Sequence, residues 1–530
     1  MAVMTTPSTH LPSNSLWANR KCLLICALVS TANLQYGLDT ITLSNLQAMP
    51  GFLKVFGYPN PKLTGGYGID RTFQQLIASL LTLGAFLSSI FAGLFAHYFG
   101  RRPALALACL LTTVGAAIQI ATTSQGMIYL GRLIIGIGNG FLVTFSNIYC
   151  AEASPAHLRA VMVALFSEWA VIGSVLGGVI CYAMSEDLSK RSYQVPLGTQ
   201  FIVPVLLGGV VLRFVPESPR WLVNKGRVEE GKRALQVLRG DSLKEDELEL
   251  EWMEIVKGIE EEKKLAGGVG WLDMFRGTNL RRTLLCFSVM ASQTGSGCWF
   301  LFSYSTYFLV VSGLNVDEAF RFSILKTCIG FVGVQVGIYL MRHVLGRRMT
   351  LMMGALTQGL SMLGMAVVAT VVTPKTALSR DFLVAFVCLF YFAYDAFVGA
   401  ASYPVATEVV STRLRSYTVG SAISFGYLLA WVTGFASPFF INPDSLNWGA
   451  KYAYIWTGTN FLCGIVFFFF FPETKGRTLE EIDELFERKI PAWKFKTTRT
   501  NMMDEALKEV REKEISESKS KSTLEVVEEV

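Results

Sequence analysis

The sequence predicts an all-α membrane protein of twelve transmembrane helices, arranged as two pseudo-symmetric bundles of six. Three observations carry this. Of 530 residues, 52% are hydrophobic and only 17% are charged, with a mean hydropathy of +0.41, whereas soluble domains carry about 25% charged residues. Twelve runs reach the length of about 20 apolar residues that a bilayer core requires. One string also occurs twice: His97-Tyr98-Phe99-Gly100-Arg101-Arg102 returns as His343-Val344-Leu345-Gly346-Arg347-Arg348. Glu152 and Arg159 return with it as Glu408 and Arg415, and Pro216-Glu217-Ser218-Pro219-Arg220 returns more loosely as Pro472-Glu473-Thr474-Lys475-Gly476-Arg477. Order and spacing are nearly kept, as in a duplicated half. Six apolar segments per half with basic connections is the pattern of carriers built from parallel repeats.

The predicted spans are 22–43, 72–96, 103–123, 127–150, 161–184, 197–215, 283–311, 320–341, 349–372, 382–406, 417–440 and 449–471. The resulting plan is an N-terminal segment 1–21, a first bundle 22–215, a linker 216–281, a second bundle 282–472 and a tail 473–530. The net charge of +6 does not point to nucleic acid, because the Lys and Arg residues fall in alternate connections. Arg101, Arg102, Arg159, Arg220, Arg281, Arg282, Arg347, Arg348, Arg415 and Arg477 all fall on the side of the linker and tail. The positive-inside rule places that side, and both termini, in the cytoplasm.

Ten cysteines lie mostly inside apolar runs without metal-ligand spacing, which predicts packing rather than a disulfide framework or a metal site. Residues Met1 to Asn19 lack the cationic start, apolar core and cleavage site of a signal peptide, so the first span is expected to act as the anchor. No cofactor motif is found, and the linker is too short for a catalytic domain and has no Gly-rich phosphate loop. A soluble enzyme is excluded by the number of spans.

Along the chain, span one ends in Gln35-Tyr36-Gly37-Leu38-Asp39-Thr40. A carboxylate in an apolar run is costly and needs a partner, a cavity or a proton. Arg132 at the start of span four can supply the partner, or can snorkel to the interface. Gly136, Gly138 and Gly140 beside it permit close helix packing. Glu152, Arg159 and the Gly-Arg-Arg strings can form ion pairs that hold one state and break in another, or can simply set topology. Ser167 and Glu168 in span five, Lys326 in span eight and Asp395 in span ten are polar groups at depth that normally face a bundle interior. Lys326 either neutralises a carboxylate or meets a polar or anionic substrate.

The linker's Glu229-Glu230, Lys232-Arg233 and Glu-rich 244–264 stretch reads as short amphipathic helices. In span seven, Gln293-Thr294-Gly295-Ser296-Gly297-Cys298-Trp299 suits a helix that bends around a hydroxylated ligand. Glycine packing with interfacial tyrosines is the other reading. Tyr403-Pro404 is comparable, since Pro404 can break span ten and expose carbonyls. The tail predicts a short helix through 479–486 and disorder after 496.

At these residues the chain resembles the sugar porter branch of the major facilitator superfamily, over roughly 20–495. The specific stretches are Pro216-Glu217-Ser218-Pro219-Arg220-Trp221-Leu222 and the string from Pro472 through Arg477 to Ile482. Tyr304-Ser305-Thr306-Tyr307-Phe308, residues 319–324, 447–451 and 490–496 resemble fungal maltose and general α-glucoside permeases, which are proton symporters of the plasma membrane. The resemblance implies the major facilitator fold and a sugar carried with protons. It implies that Asp39 takes up the proton with Arg132 as its partner. It also implies sugar contacts at Gln293, Thr294, Trp299 and Tyr403, and at Ser167 where a span-five amide usually stands.

The chain departs from that pattern in several places. His97 and His343 stand where aspartate usually precedes Gly-Arg-Arg, Asn147 replaces a proline, and Lys326 replaces a polar uncharged residue. The expected role is a monomeric, proton-coupled carrier of an α-glucoside or hexose in the cell membrane, with no cofactor and no nucleic acid partner. Its substrate cavity would include Lys326. Its gate would be formed by Arg101, Arg102, Glu152, Arg159, Glu217, Arg220, Arg347, Arg348, Glu408, Arg415, Glu473 and Arg477. The rival is a carrier of a non-sugar solute such as a polyol, a cyclic acid or a fungal secondary metabolite. A non-transporting sensor is disfavoured by the short tail.

Overall fold

The computed structural model describes residues 19–61, 66–155, 158–240, 245–266, 270–371, 376–411, 413–498 and 500, without the side chains of 159–161, 163, 164, 262, 265, 266, 479 and 480. The expectations for residues 1–18 and for 501–530, including the disordered tail, lie outside the described residues.

Among the described residues twelve helices are long and apolar enough to cross a membrane. Spans one to six are Arg20–Leu46, Arg71–Phe99, Arg101–Ala121, Gln125–Ala153, Leu165–Ala183 and Arg191–Arg213. Spans seven to twelve are Gly277–Val311, Val316–Val344, Arg347–Val371, Ala377–Val409, Arg415–Ile441 and Gly449–Phe470. Helices are the natural solution because each one satisfies its own backbone groups without water. Large apolar side chains such as Phe91, Leu94, Phe468 and Phe470 point outward, while Asn45, Gln47, Gln74, Gln200 and Gln358 are buried. This is the inside-out polarity of a chain solvated by lipid.

Within the first half, spans two and four pack at backbone distance. A Cβ on Gly136 would meet the Leu81 carbonyl oxygen at 2.3 Å, and one on Gly84 would meet the Leu133 oxygen at 2.6 Å. The small residues of span four therefore do the packing that their spacing suggests. The halves meet along spans two and eleven, five and eight, and one and seven.

Four of the described spans are irregular where they approach the centre, among them span six, which breaks between Arg191–Thr199 and Ile202–Arg213 at Gln200. Span one is interrupted at Thr31. Span seven breaks between Gly277–Gly295 and Cys298–Val311 at Gly297, whose φ is 85°. Span ten carries a π-helical turn at Tyr394–Gly399. The expectation that Pro404 breaks span ten is corrected: Pro404 stays inside the helix Ala400–Val409, and the distortion lies in the turn before it. A proline lacks the donor that its own position would offer the preceding turn, so the strain appears upstream of it.

The linker forms helices Pro219–Asn224, Val228–Arg239 and Glu245–Ala266. Arg239 ties them to the first half: its guanidinium donates to Glu251 at 2.6 and 2.8 Å and to the Ala153 carbonyl at 2.9 Å. After the last span, Leu479–Glu487 forms a helix with a Thr478/Glu481 capping box. It bonds to span seven through Arg282 and Asp483.

Candidate substrate cavity and coupling pair

Between the halves lies a cavity bounded by spans one, five, seven, eight, ten and eleven, with an empty volume of about 1260 Å³ including its mouth. Ser167, Gln293, Thr294, Trp299 and Tyr403, five residues singled out in the sequence, all line it. The irregular backbone explains part of this. The break at Gly297 sets Gln293-Thr294 and Trp299 on one wall, and the π-helical turn at 394–399 turns Tyr394, Asp395 and Gly399 inward. Gln293 Nε2 is buried with no partner among the described residues. It is a donor at the cavity that a ligand acceptor can satisfy.

Lys326 does not line the cavity. It is 1% exposed, donates to Ser305, and its Nζ lies 5.0 Å from the centre of the Tyr391 ring. The expectation that it touches substrate is corrected. Thr327, the next residue on the helix, faces the cavity instead, since one residue turns a helix by about 100°. Lys326 also forms no ion pair with Glu168 or Asp395; Glu168 accepts from Gln335 across the halves at 2.6 Å. Sequence reasoning did not assign Tyr36, Phe166, Phe302, Tyr391, Tyr394 or Tyr427 to the cavity wall, and all six line it; Asp395, expected to face the bundle interior, lines it too. Tyr36 shares a helix face with Thr40, four residues on, and both line the cavity.

One helix face behind the wall sits the buried pair of Asp39 and Arg132. Arg132 Nη1 donates to Asp39 Oδ1 at 2.7 Å, with both side chains buried. Gln200 Nε2 donates to the same oxygen at 2.9 Å and Asn139 Nδ2 to the other at 3.2 Å. Arg132 Nε reaches the Ile77 carbonyl at 3.2 Å, while its Nη2 has no partner among the described residues. Arg132 is therefore no snorkelling end residue. Asp39 itself does not line the cavity, but its neighbours Tyr36, Gly37, Thr40 and Ile41 do.

At the linker face each half builds the same cluster. Arg101 donates to Glu152 through Nε at 2.9 Å and Nη2 at 2.7 Å, and Ser218 Oγ donates to Glu152 at 2.6 Å. Glu217 accepts from the backbone N–H groups of Arg101 at 3.0 Å, Arg102 at 3.1 Å and Ser218 at 2.8 Å. Burial pushes its carboxyl above the usual glutamate range, against the pull of those N–H groups and of Arg101. In the second half Arg347 donates to Glu408 at 3.1 and 3.2 Å, and Thr474 Oγ1 to Glu408 at 2.8 Å. Glu473 there accepts from the N–H groups of Arg347 at 2.8 Å and Lys475 at 3.0 Å.

The glycine of each string is explained by these carboxylates. A Cβ on Gly100 would meet Glu217 Oε2 at 2.5 Å, and one on Gly346 would meet Glu473 Oε2 at 2.0 Å. Arg102 and Arg348 each donate to carbonyls at the end of the sixth span of their own half. Arg477 is placed apart, donating to Glu481 and to the carbonyls of Phe495 and Thr498. Nε and Nη2 of Arg415 have no partner among the described residues, Arg220 makes contacts of its own, and the side chain of Arg159 lies outside the described residues.

At the opposite face the halves are joined directly. Asn45 Oδ1 accepts from Thr306 at 2.7 Å and from Ser323 at 2.9 Å, Gln47 Nε2 donates to the Ser303 carbonyl at 2.8 Å, and Asn442 Nδ2 donates to Gln74 at 2.9 Å. Tyr58 donates to Asp444 at 2.7 Å.

A family model described as "Sugar (and other) transporter" matches residues 25–486. The chain belongs to this sugar transporter family. It is a multi-pass membrane transporter of the major facilitator superfamily and not an enzyme. The transporter is 29% identical over 478 residues to the major facilitator-type transporter ecdD of Aspergillus rugulosus, covering 88% of this chain and 87% of that one. It is 30% identical over 494 residues to the general alpha-glucoside permease of Saccharomyces cerevisiae, covering 92% and 77%. Its fold matches that of the proton:xylose symporter XylE with a TM-score of 0.70 at 20% identity, over 88% of this chain and 100% of that one.

Proposed function

We propose that the protein carries a sugar, an α-glucoside such as maltose or a hexose, together with protons by alternating access. It would work as a monomer in the cell membrane with both termini cytoplasmic. The observation that supports this most is the buried Asp39–Arg132 pair one helix face behind a cavity that holds Gln293 and Trp299. Ionised Asp39 pairs with Arg132. Protonation weakens the pair and shifts the balance between outward-open and inward-open states, because a ligand moves only states that it binds differently. Ser167, Gln293, Thr294, Trp299 and Tyr403 offer hydroxyls, an amide and ring faces to a sugar. The halves 22–215 and 282–472 would rock as units against the linker 216–281 and tail 473–530. Arg101, Arg102, Glu152, Glu217, Arg347, Arg348, Glu408 and Glu473 would form the gate at the linker face, with ion pairs that hold one state and break in the other, and Arg159, Arg220, Arg415 and Arg477 would belong to the same gate. A general alpha-glucoside permease among the relatives and a proton:xylose symporter among the structural neighbours favour this substrate class and this coupling.

The test is uptake of labelled maltose and glucose by transporter-deficient cells across external pH, normalised to folded protein. Uptake that rises as external pH falls is expected. Uptake insensitive both to pH and to Asp39→Asn would overturn the coupling. A second reading, a non-sugar solute, is favoured by the Asp395 carboxylate in the cavity wall, which has no cationic partner among the described residues.

A further inference from the structure

The cavity wall carries the hydroxyls of Thr40, Ser167, Ser174, Thr294, Thr327 and five tyrosines, which suit a sugar, and beside them one group that a neutral sugar does not call for. Of its lining side chains one is a carboxamide, Gln293, and one is charged, Asp395. Eight are aromatic. The hydroxyls and Gln293 supply the directed donors and acceptors that a sugar needs, while a carboxylate in a wall rich in aromatic rings suits a cation.

Asp395 sits on the π-helical turn Tyr394–Gly399. Its carboxylate lies against span eight, where a Cβ on Gly330 would meet Oδ2 at 2.4 Å, so two glycines of that helix, Gly330 and Gly333, leave room for it. Among the described residues no side chain donates to it and no cation pairs with it. An acid without a partner at this depth is expensive, and a site that keeps one open has an occupant in view.

Four of the rings that share the cavity wall with Asp395 pack on one another. Phe302 stands 5.1 Å from Tyr394 at 87° and 5.3 Å from Tyr391 at 51°, with Trp299 6.3 Å from Phe302 at 74°. Tyr391 already packs against one amine on its far side, since Lys326 Nζ lies 5.0 Å from its ring centre. Lys326 is sealed behind that ring and bonded to Ser305, so it neither reaches the cavity surface nor neutralises Asp395.

We infer that the cavity recognises a solute bearing a protonated amine, with Asp395 as its counter-ion and Trp299, Phe302, Tyr391 and Tyr394 as its aromatic box. This rests on the reading that the cavity is the solute site, and narrows its substrate class to amino sugars and related organic cations.

The experiment uses the full chain in proteoliposomes at pH 6, with labelled glucosamine and glucose, which differ by an ammonium in place of one hydroxyl. The apparent KM for glucosamine is expected to be at least tenfold below that for glucose. Asp395→Asn should bring the two within about twofold, and Asp395→Glu should keep most of the preference. Tetramethylammonium should compete with glucosamine in the unaltered protein, and mannitol should not, which gives a readout that does not depend on any variant folding. Equal KM values, a preference unchanged in Asp395→Asn, or no competition by tetramethylammonium would overturn the inference while leaving the cavity as a solute site. Failure of both solutes to bind or move would remove the underlying reading and this inference together.

Discussion

Arg132 Nη1 stands 2.7 Å from Asp39 Oδ1, and the side chains are 2% and 0% exposed. The two partners are not equivalent when one is lost. A carboxylate deprived of Arg132 keeps Gln200 and Asn139 as donors and can take up a proton. A guanidinium deprived of Asp39 cannot shed its charge. Asp39→Asn is therefore expected to cost about 3–5 kcal/mol, the range for an uncompensated buried charge, and Arg132→Gln clearly less. The double variant Asp39→Asn/Arg132→Gln should recover most of the loss. Thermal unfolding of the detergent-solubilised protein measures all three, and equal losses in the two single variants would refute the asymmetry.

The linker-face clusters give a second prediction. Glu152 serves Arg101 and Ser218, and Glu408 serves Arg347 and Thr474, so the clusters share no partner. Residues without common partners contribute additively within about 0.5 kcal/mol. Glu152→Ala and Glu408→Ala should each cost about 1–3 kcal/mol, because each strands a guanidinium and a hydroxyl. Their combination should cost the sum. A non-additive result in unfolding measurements would show that the two clusters communicate.

The sequence carried the architecture because its signals are strong ones. A run of about 20 apolar residues is hard to mistake, and the repeated Gly-Arg-Arg string marked the two halves. Asp39 and Arg132 were legible for the same reason, being charges inside apolar runs. Lys326 was legible as buried but not in direction, since a charge in a helix does not say which way it turns, and Thr327 faces the cavity in its place. Gln200 and Asn139, which complete the shell of Asp39, gave no sign, because an amide in an apolar helix has no spacing of its own. The same holds for the amides that close the opposite face.

Those amides lead to a third prediction. Asn45 Oδ1 receives both Thr306 and Ser323, tying span one to spans seven and eight. Asn45→Ala removes the acceptor that two buried hydroxyls share and leaves Thr306 only its 3.4 Å bond to Ser323 Oγ, at a cost of about 1–3 kcal/mol to the closed arrangement. A cysteine at Ser44, in a chain with the exposed Cys328 changed to serine, should be slow to react with a membrane-impermeant thiol reagent added from the side opposite the linker. Asn45→Ala should speed that reaction about tenfold or more. An unchanged rate would mean that this bond does not help hold that face shut.

A fourth prediction concerns the break in span seven. Gly297 holds φ at 85°, and a Cβ there would meet Trp456 Cγ at 2.6 Å and Met362 Cε at 2.8 Å. Gly297→Ala thus combines a left-handed backbone with a clash against a ring and a methionine. The helix can relieve this only by straightening through 296–298, which would carry Gln293 and Trp299 off the cavity wall that both now line. The expected loss is about 1–3 kcal/mol in thermal stability, with a larger fractional loss in solute affinity than in the amount of folded protein. Gly295→Ala is the control, because a Cβ there meets only Cys463 Sγ, at 3.5 Å, and its φ is not positive. Uptake and binding measured on both variants separate the two effects: if Gly297→Ala binds solute as the unaltered chain does, the break serves packing alone and does not shape the cavity.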